Sequence, residues 1–222
     1  MPSHTQAVED YLKTIYDLLR QGEAATTSAR AERLGVTPAS VTGMAKKLAG
    51  LNLVAHEPYR GVVLTEAGRK IALEVIRHHR LVELYLHEAL GVPWDQVHAE
   101  AEKIEHVLSE ELEARLDAAL GHPTVDPHGA PIPSVDLELE EPERTPLAEL
   151  EPGQRAVVAE VSDHDAELLR YLGGLGLYPQ TPLEVVALAP FEGPLTVRVG
   201  GAEQTVGRRA AAYIFVTDIR DA

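Results

Sequence analysis

His79 and Glu83 stand four residues apart, as do His98 and Glu102, and Glu105 and His106 follow three and four residues after Glu102. On a helix, side chains at these spacings share a face, so each set lines one stripe. Asp10 sits beside an apolar helical stripe near the N-terminus. The set offers three imidazoles and four carboxylates. Carboxylates held close together raise one another's pKa and resist burial unless a cation neutralises them. A divalent metal is the cation such a set invites. The chain contains no cysteine, which excludes thiolate ligation and disulfides and leaves oxygen and imidazole donors. Those donors suit Mn(II), Fe(II), Co(II) or Zn(II), and raw affinity favours the later metals, so a manganese or iron role depends on geometry and supply. One His-x-x-x-Glu pair is ordinary on an exposed helix; the joint pattern on two helices is what points to metal. His78 has Leu81 and Val82 at the corresponding spacings and is left out of the set.

A second group of residues suggests nucleic acid. Ala7, Val8, Tyr11, Leu12, Ile15, Leu18 and Leu19 give an amphipathic opening helix, with Ser3 or Thr5 as its cap and Gly22 at its end. Two short helices follow, one over Thr27–Leu34 closed by Gly35 and one from Thr37-Pro38 to Leu48. Threonine as N-cap with proline at the first helical position is a helix start. Two short helices joined at a glycine form a helix-turn-helix. The run His56-Glu57-Pro58-Tyr59-Arg60-Gly61, with a return strand over 62–65, reads as a hairpin wing. The start of the second short helix would meet base edges in the major groove. Thr37, Ala39, Ser40, Thr42 and Gly43 are small enough to approach bases, while Lys46, Lys47 and Arg60 would reach phosphates.

The elements that must position these groups change character along the chain. A helix from about 65 either continues or kinks before 81–90, where apolar residues fall on nearly every side. Such a helix needs cover from more than one direction, which a second copy of the chain can supply. Residues 94–120 read as one long helix striped by Val97, Ala101, Ile104, Leu108, Leu112 and Leu116. Six prolines between 122 and 146 predict an extended linker. Short valine- and leucine-rich runs at 155–161, 183–189, 195–199, 203–206 and 213–216 predict a small β-barrel. The expected fold is mainly α with β: a winged helix-turn-helix over 1–75, a helical dimerisation and metal-binding domain over 76–121, a proline-rich linker over 122–146 and a barrel over 147–222.

The net charge of −15 is unevenly spread. Residues 1–80 carry eleven Lys/Arg against eight Asp/Glu, and residues 81–222 carry nine against twenty-seven. A mildly basic first third can face phosphate while the acidic remainder keeps the protein in solution. No apolar run approaches the roughly 18 residues of a membrane span, and Met1-Pro2-Ser3-His4 lacks a signal-peptide pattern. A cytoplasmic protein without a membrane partner is expected.

The run from Ala31 to Thr42, Tyr59-Arg60-Gly61, Leu64-Thr65-Glu66-Ala67-Gly68, Ile104-Glu105-His106 and the segment from Asp126 to Pro133 together resemble the diphtheria toxin repressor and manganese transport regulator family. The resemblance implies a winged helix, a helical dimerisation domain and an SH3-like, FeoA-like barrel, with a homodimer binding a palindromic operator of double-stranded DNA. It implies a transcriptional regulator of metal-homeostasis genes. Two metal sites follow from it: a regulatory site of Asp10, Glu102, Glu105 and His106, and an ancillary site of His79, Glu83 and His98. The barrel would add His164 and Glu167 to the latter, with Asp163 and Asp165 as neighbours. Iron-responsive members resemble a methionine at the position of Asp10 and a cysteine at that of Glu102. Two carboxylates there imply Mn(II), with Fe(II) as an alternative and Co(II), Zn(II) or Cd(II) as substitutes. Lys13 stands where the short manganese regulators carry a ligand glutamate, which implies two separate sites rather than a bridged pair. Gly43 replaces a longer base-contacting side chain. Two other functions fit parts of the sequence: a winged-helix sensor of a small organic ligand, and a carboxylate-bridged di-metal enzyme. The enzyme needs paired Glu-x-x-His motifs, and Lys103 breaks the motif before His106.

Overall fold

The structure, a computed structural model, describes residues 4–57, 61–140 and 142–221. It divides into two compact units. Among the described residues the first unit holds 4–79, 104–109 and 133–139, and the second holds 80–103, 110–132 and 140–221.

The first unit begins with helix α1 (Gln6–Arg20), which buries Val8, Tyr11, Leu12, Ile15 and Leu18. Helix α2 (Thr27–Leu34) starts where the Thr26 side chain accepts the Ala29 amide and stops at Gly35 in the left-handed conformation. Helix α3 (Pro38–Gly50) starts on Thr37, whose hydroxyl accepts the Ser40 amide at 3.2 Å. Val41 and Leu48 of α3 are fully buried, with Met44 and Ala45 packed beside them, and one face is left exposed. Strands β1 (Val54–Glu57) and β2 (Gly61–Leu64) pair antiparallel as the wing. The expected turn contacts of Tyr59 and Arg60 lie outside the described residues. Helix α4 (Glu66–Leu90) is assigned without a break through residue 80. It leaves the wing at Gly68, where an added Cβ would sit 2.0 Å from the Leu53 carbonyl oxygen. That contact makes glycine obligatory there.

In the second unit the expected single helix over 94–120 is not formed. Helix α5 (Val97–Ala101) and helix α6 (Glu110–Ala119) are separated by turns over 102–107. The apolar stripe runs through the break, so periodicity alone cannot reveal it. Ser109 followed by Glu110, Glu111 and Glu113 is the composition of a new helix start, with carboxylates favourable at the helix N-terminus.

Residues 122–132 differ from the extended linker their prolines suggest. Asp126 Oδ1 accepts the amides of His128 (2.8 Å) and Ala130 (2.9 Å), folding the chain into a buried turn. Gly129 there has φ +86°, and an added Cβ would sit 1.9 Å from the Ala159 carbonyl oxygen. The prolines fix φ along a path that packs, rather than one that extends into solvent.

The remainder forms a six-stranded antiparallel sheet in the order β3-β8-β4-β5-β6-β7. Its strands are β3 (Thr145–Pro146), β4 (Gln154–Val161), β5 (Pro182–Leu188), β6 (Leu195–Val199), β7 (Ala202–Val206) and β8 (Ile214–Asp221). Helix α7 (Ala166–Gly174), which sequence periodicity did not reveal, crosses between β4 and β5 and buries Leu169 and Leu172. Trp94 joins the same apolar core, its ring centroid 4.8 Å from that of Tyr178. No helix is long and apolar enough to cross a membrane among the described residues.

Candidate metal centres and nucleic-acid face

In the first unit, α1 presents Glu9, Asp10 and Lys13 on one side, α4 presents His78 and His79, and the 104–109 segment presents Glu105 and His106. Ligand atoms of Asp10, Glu105 and His106 lie within 4.8 Å of one another. His106 is held at both ring nitrogens. Its Nδ1 is 2.7 Å from Glu9 Oε2, and its Nε2 is 2.8 Å from Asp10 Oδ1 and 3.2 Å from Glu105 Oε1. Burial opposes the charged imidazole, but the hydrogen bonds to Asp10 and Glu9 and the charge of Glu105 outweigh it and push the His106 pKa up to about 9. Both nitrogens then act as donors, and the imidazolium supplies part of the positive charge the carboxylates need.

Glu105 is almost fully buried. Burial would raise its pKa, yet the His79 hydrogen bond and the Lys13 charge hold it below the usual carboxylate range. Lys13 Nζ donates to both Glu105 oxygens, at 3.0 and 2.8 Å, and His79 Nδ1 also contacts Oε2. The turn carrying Glu105 is fixed through its backbone: a ring nitrogen of His78 donates to the Glu105 carbonyl at 3.0 Å. Glu9 and His78 are thus two participants that sequence reasoning missed. Spacing identifies side chains that share a face; it does not identify one that meets another segment across ninety-seven residues, as Glu9 meets His106.

Glu102 caps the end of α5 in the second unit, exposed, with its carboxylate 3.5 Å from His98 Nε2. His98 Nδ1 is 3.3 Å from both Glu83 Oε1 and Asp163 Oδ2. Burial opposes its protonation, but hydrogen bonds to Asp163, Glu102 and Glu83 push its pKa up to about 12. Asp163, expected only as a neighbour of the site, is the residue that meets His98. His164 stands edge-on to His98 with ring centroids 6.0 Å apart, and Glu167 is exposed in the first turn of α7. Among the described residues, no group with converging ligand atoms contains either of them. The reason is local. Asp165 turns its carboxylate back to cap α7, accepting the amides of Glu167 and Leu168, which starts the helix and carries Glu167 outward.

Behind Glu83 lies a set that the sequence did not suggest. Ligand atoms of Glu83, Asp126 and His128 converge within 4.8 Å, and all three side chains are buried. His128 Nε2 donates to the Trp94 carbonyl at 2.7 Å, which leaves Nδ1 facing Glu83 Oε2 at 3.8 Å. Asp126 Oδ2, which faces Arg80 Nε at 3.7 Å, and His128 Nδ1 have no hydrogen-bond partner among the described residues. A buried polar atom left so costs roughly 1–3 kcal/mol, and a cation between them would remove that cost. Burial and the Glu83 charge raise the Asp126 pKa to about 6. The residues present therefore fit a divalent metal by their chemistry and by their unsatisfied atoms. His79, also expected in this set, contacts Glu105 Oε2 as well.

The described residues expected to meet nucleic acid lie on or beside α3. Thr37, Ala39, Ser40, Thr42, Gly43, Lys46 and Lys47 are all exposed, while Val41 and Leu48 anchor the opposite side of α3. Thr42 donates its hydroxyl to the Pro38 carbonyl at 2.9 Å.

Three family descriptions match in order. The iron-dependent repressor N-terminal DNA-binding domain matches residues 4–62, the iron-dependent repressor metal-binding and dimerisation domain matches 65–134, and the FeoA domain matches 145–218. The chain belongs to the iron-dependent repressor family. This is the family of the diphtheria toxin repressor and the manganese regulators. The iron-dependent repressor IdeR of Mycobacterium tuberculosis is 36% identical over 80% of this chain and 82% of its own length. A solved manganese-dependent transcriptional repressor in complex with manganese is 39% identical, with a TM-score of 0.90 over 95% of this chain and 99% of that one. The manganese regulator SloR is 32% identical, with a TM-score of 0.81 over 97% of this chain and 98% of that one. The repressor described here is a metal-dependent DNA-binding transcriptional regulator of a non-enzymatic family. Neither the small-molecule sensor nor the di-metal enzyme finds support in these relatives.

Proposed function

We propose that this repressor takes Mn(II) as its corepressor at a site of Asp10, Glu102, Glu105 and His106, and that it binds a palindromic operator as a homodimer. The observation that carries the metal assignment is the donor set. Asp10, Glu105 and His106 converge through oxygen and imidazole nitrogen alone, and Glu102 adds a fourth hard donor three residues before Glu105. Hard oxygen donors favour Mn(II) over metals that prefer sulfur. The manganese-dependent description of the structural relatives supports the same reading.

A bound divalent ion would supply the charge that Glu9, Asp10, Glu102 and Glu105 jointly lack. Asp10 ties α1, and with it the DNA-binding elements, to the 104–109 segment. Glu9 and His78 orient His106 and the Glu105 backbone. Metal binding and operator binding are then linked, and each tightens the other by the same factor. For the ancillary site we propose His79, Glu83 and His98, with Asp163, Asp126 and His128 as further candidate ligands. Leu90 and Leu112, exposed on the helices of the second unit, support burial against a second copy. A dimer places two recognition helices about 34 Å apart, one turn of the duplex.

Operator fragments selected from genomic DNA test this. Chelator should abolish retardation, and Mn(II) should restore it at lower free concentration than Fe(II) or Zn(II). Asp10→Ala should lose the response. Retardation that survives chelator, or an Asp10→Ala protein that still requires Mn(II), would overturn the reading.

A further inference from the structure

Lys13 follows Asp10 by three residues on α1, so both face the same way. Its side chain is only 15% exposed, and its ammonium donates to both oxygens of Glu105 at 2.8 and 3.0 Å and lies 3.1 Å from His79 Nδ1. Glu105 Oε1 in turn lies 3.2 Å from His106 Nε2. The Glu105 carboxylate therefore stands between two positive groups. On one side is His106 with Asp10, the set that converges as a metal site. On the other is Lys13 with His79. An ammonium is a compact point charge whose three donors point at whatever accepts them. Imidazole and carboxylate, the groups Lys13 meets, are divalent-metal ligand types.

We propose that Lys13 is a tethered resident cation: it occupies the half of the Glu105 pocket that a second divalent ion would otherwise take, and it competes with the regulatory metal for Glu105. The inference rests on the regulatory-site reading above. Two consequences separate it from a purely structural lysine. The pocket takes one divalent ion per protomer and not two. The metal must draw on a carboxylate already satisfied by an ammonium, so its affinity is lower than the same ligands would give without Lys13. The lysine thereby sets the metal concentration at which the repressor responds. A lysine that merely organised Glu105 for ligation would act in the opposite sense, and its removal would weaken metal binding.

Mn(II) titration of the full-length protein, followed by electron paramagnetic resonance of free and bound ion, tests this. Lys13→Met should bind the same number of ions, with the ion that Asp10→Ala loses held about tenfold tighter, about 1.4 kcal/mol. Lys13→Glu should bind one more ion per protomer and show the exchange-coupled lines of two adjacent Mn(II) ions. Lys13→Arg, which keeps the charge, should match the wild type in ion count. Should Lys13→Met fail to fold by circular dichroism, the glutamate and arginine variants carry the test. A folded Lys13→Met protein with unchanged or weaker affinity, or an unchanged ion count in Lys13→Glu, overturns the inference alone. An Asp10→Ala protein with wild-type ion count and affinity would remove the regulatory site itself, and the inference with it.

Discussion

At the scale of single residues, both clusters carry protons where a metal would bind. His106 is raised to about 9 and His98 to about 12 by the carboxylates that flank them. At pH 7 both are therefore imidazolium, and an ion that takes a ring nitrogen must displace a proton. The sign follows: Mn(II) affinity rises as pH is raised from 6 to 8, by up to about tenfold per unit for each proton displaced. Calorimetry in two buffers of different ionisation enthalpy measures the proton count directly. Heats independent of buffer would show that these imidazoles are not protonated, or not ligands. The types of these residues were legible in the sequence. Of their partners, Asp10 and Glu105 for His106 and Glu83 for His98 were implied by the resemblance, and Glu9 was not. The resemblance favoured His164 and Glu167, yet it is Asp163 that meets His98, while Asp165 caps α7.

At the scale of elements, legibility follows how local the determinant is. The limits of α2 and α3 could be read because Thr26, Gly35, Thr37 and Pro38 act within a few residues of themselves. The barrel strands could be read from short valine-rich runs between turns. The break between α5 and α6 could not, since its apolar stripe continues across it. The turn at 126–130 was hidden because its order comes from contacts with Trp94 and β4, far away in sequence. That turn gives a prediction at its own scale. Gly129→Ala adds a Cβ against the Ala159 carbonyl at a positive φ. Backbone strain of this kind costs about 1–3 kcal/mol, and the displaced turn carries Asp126 and His128 with it. The variant should melt lower and lose the ancillary ion while keeping the one that depends on Asp10. Wild-type melting and full ion count in Gly129→Ala would show that the turn does not build the site.

At the scale of the whole molecule, the charge is divided by function. The first eighty residues carry a small positive excess and the rest a large negative one, so DNA is met by a local basic face on an otherwise repelling body. Lys46 and Lys47 are the exposed cations of α3. In a dimer, replacing both by alanine should reduce the slope of log affinity against log salt by up to about 3 to 4, since each phosphate contact contributes about 0.9. Fluorescence anisotropy across a salt series reads this, and an unchanged slope would place the DNA contacts elsewhere. The same molecule-wide economy appears in what the sites are made of. Every candidate ligand is a carboxylate or an imidazole, and the chain has no cysteine. Peroxide therefore finds no thiolate to oxidise at either cluster, so the ligands themselves survive conditions that would silence a sulfur-ligated sensor.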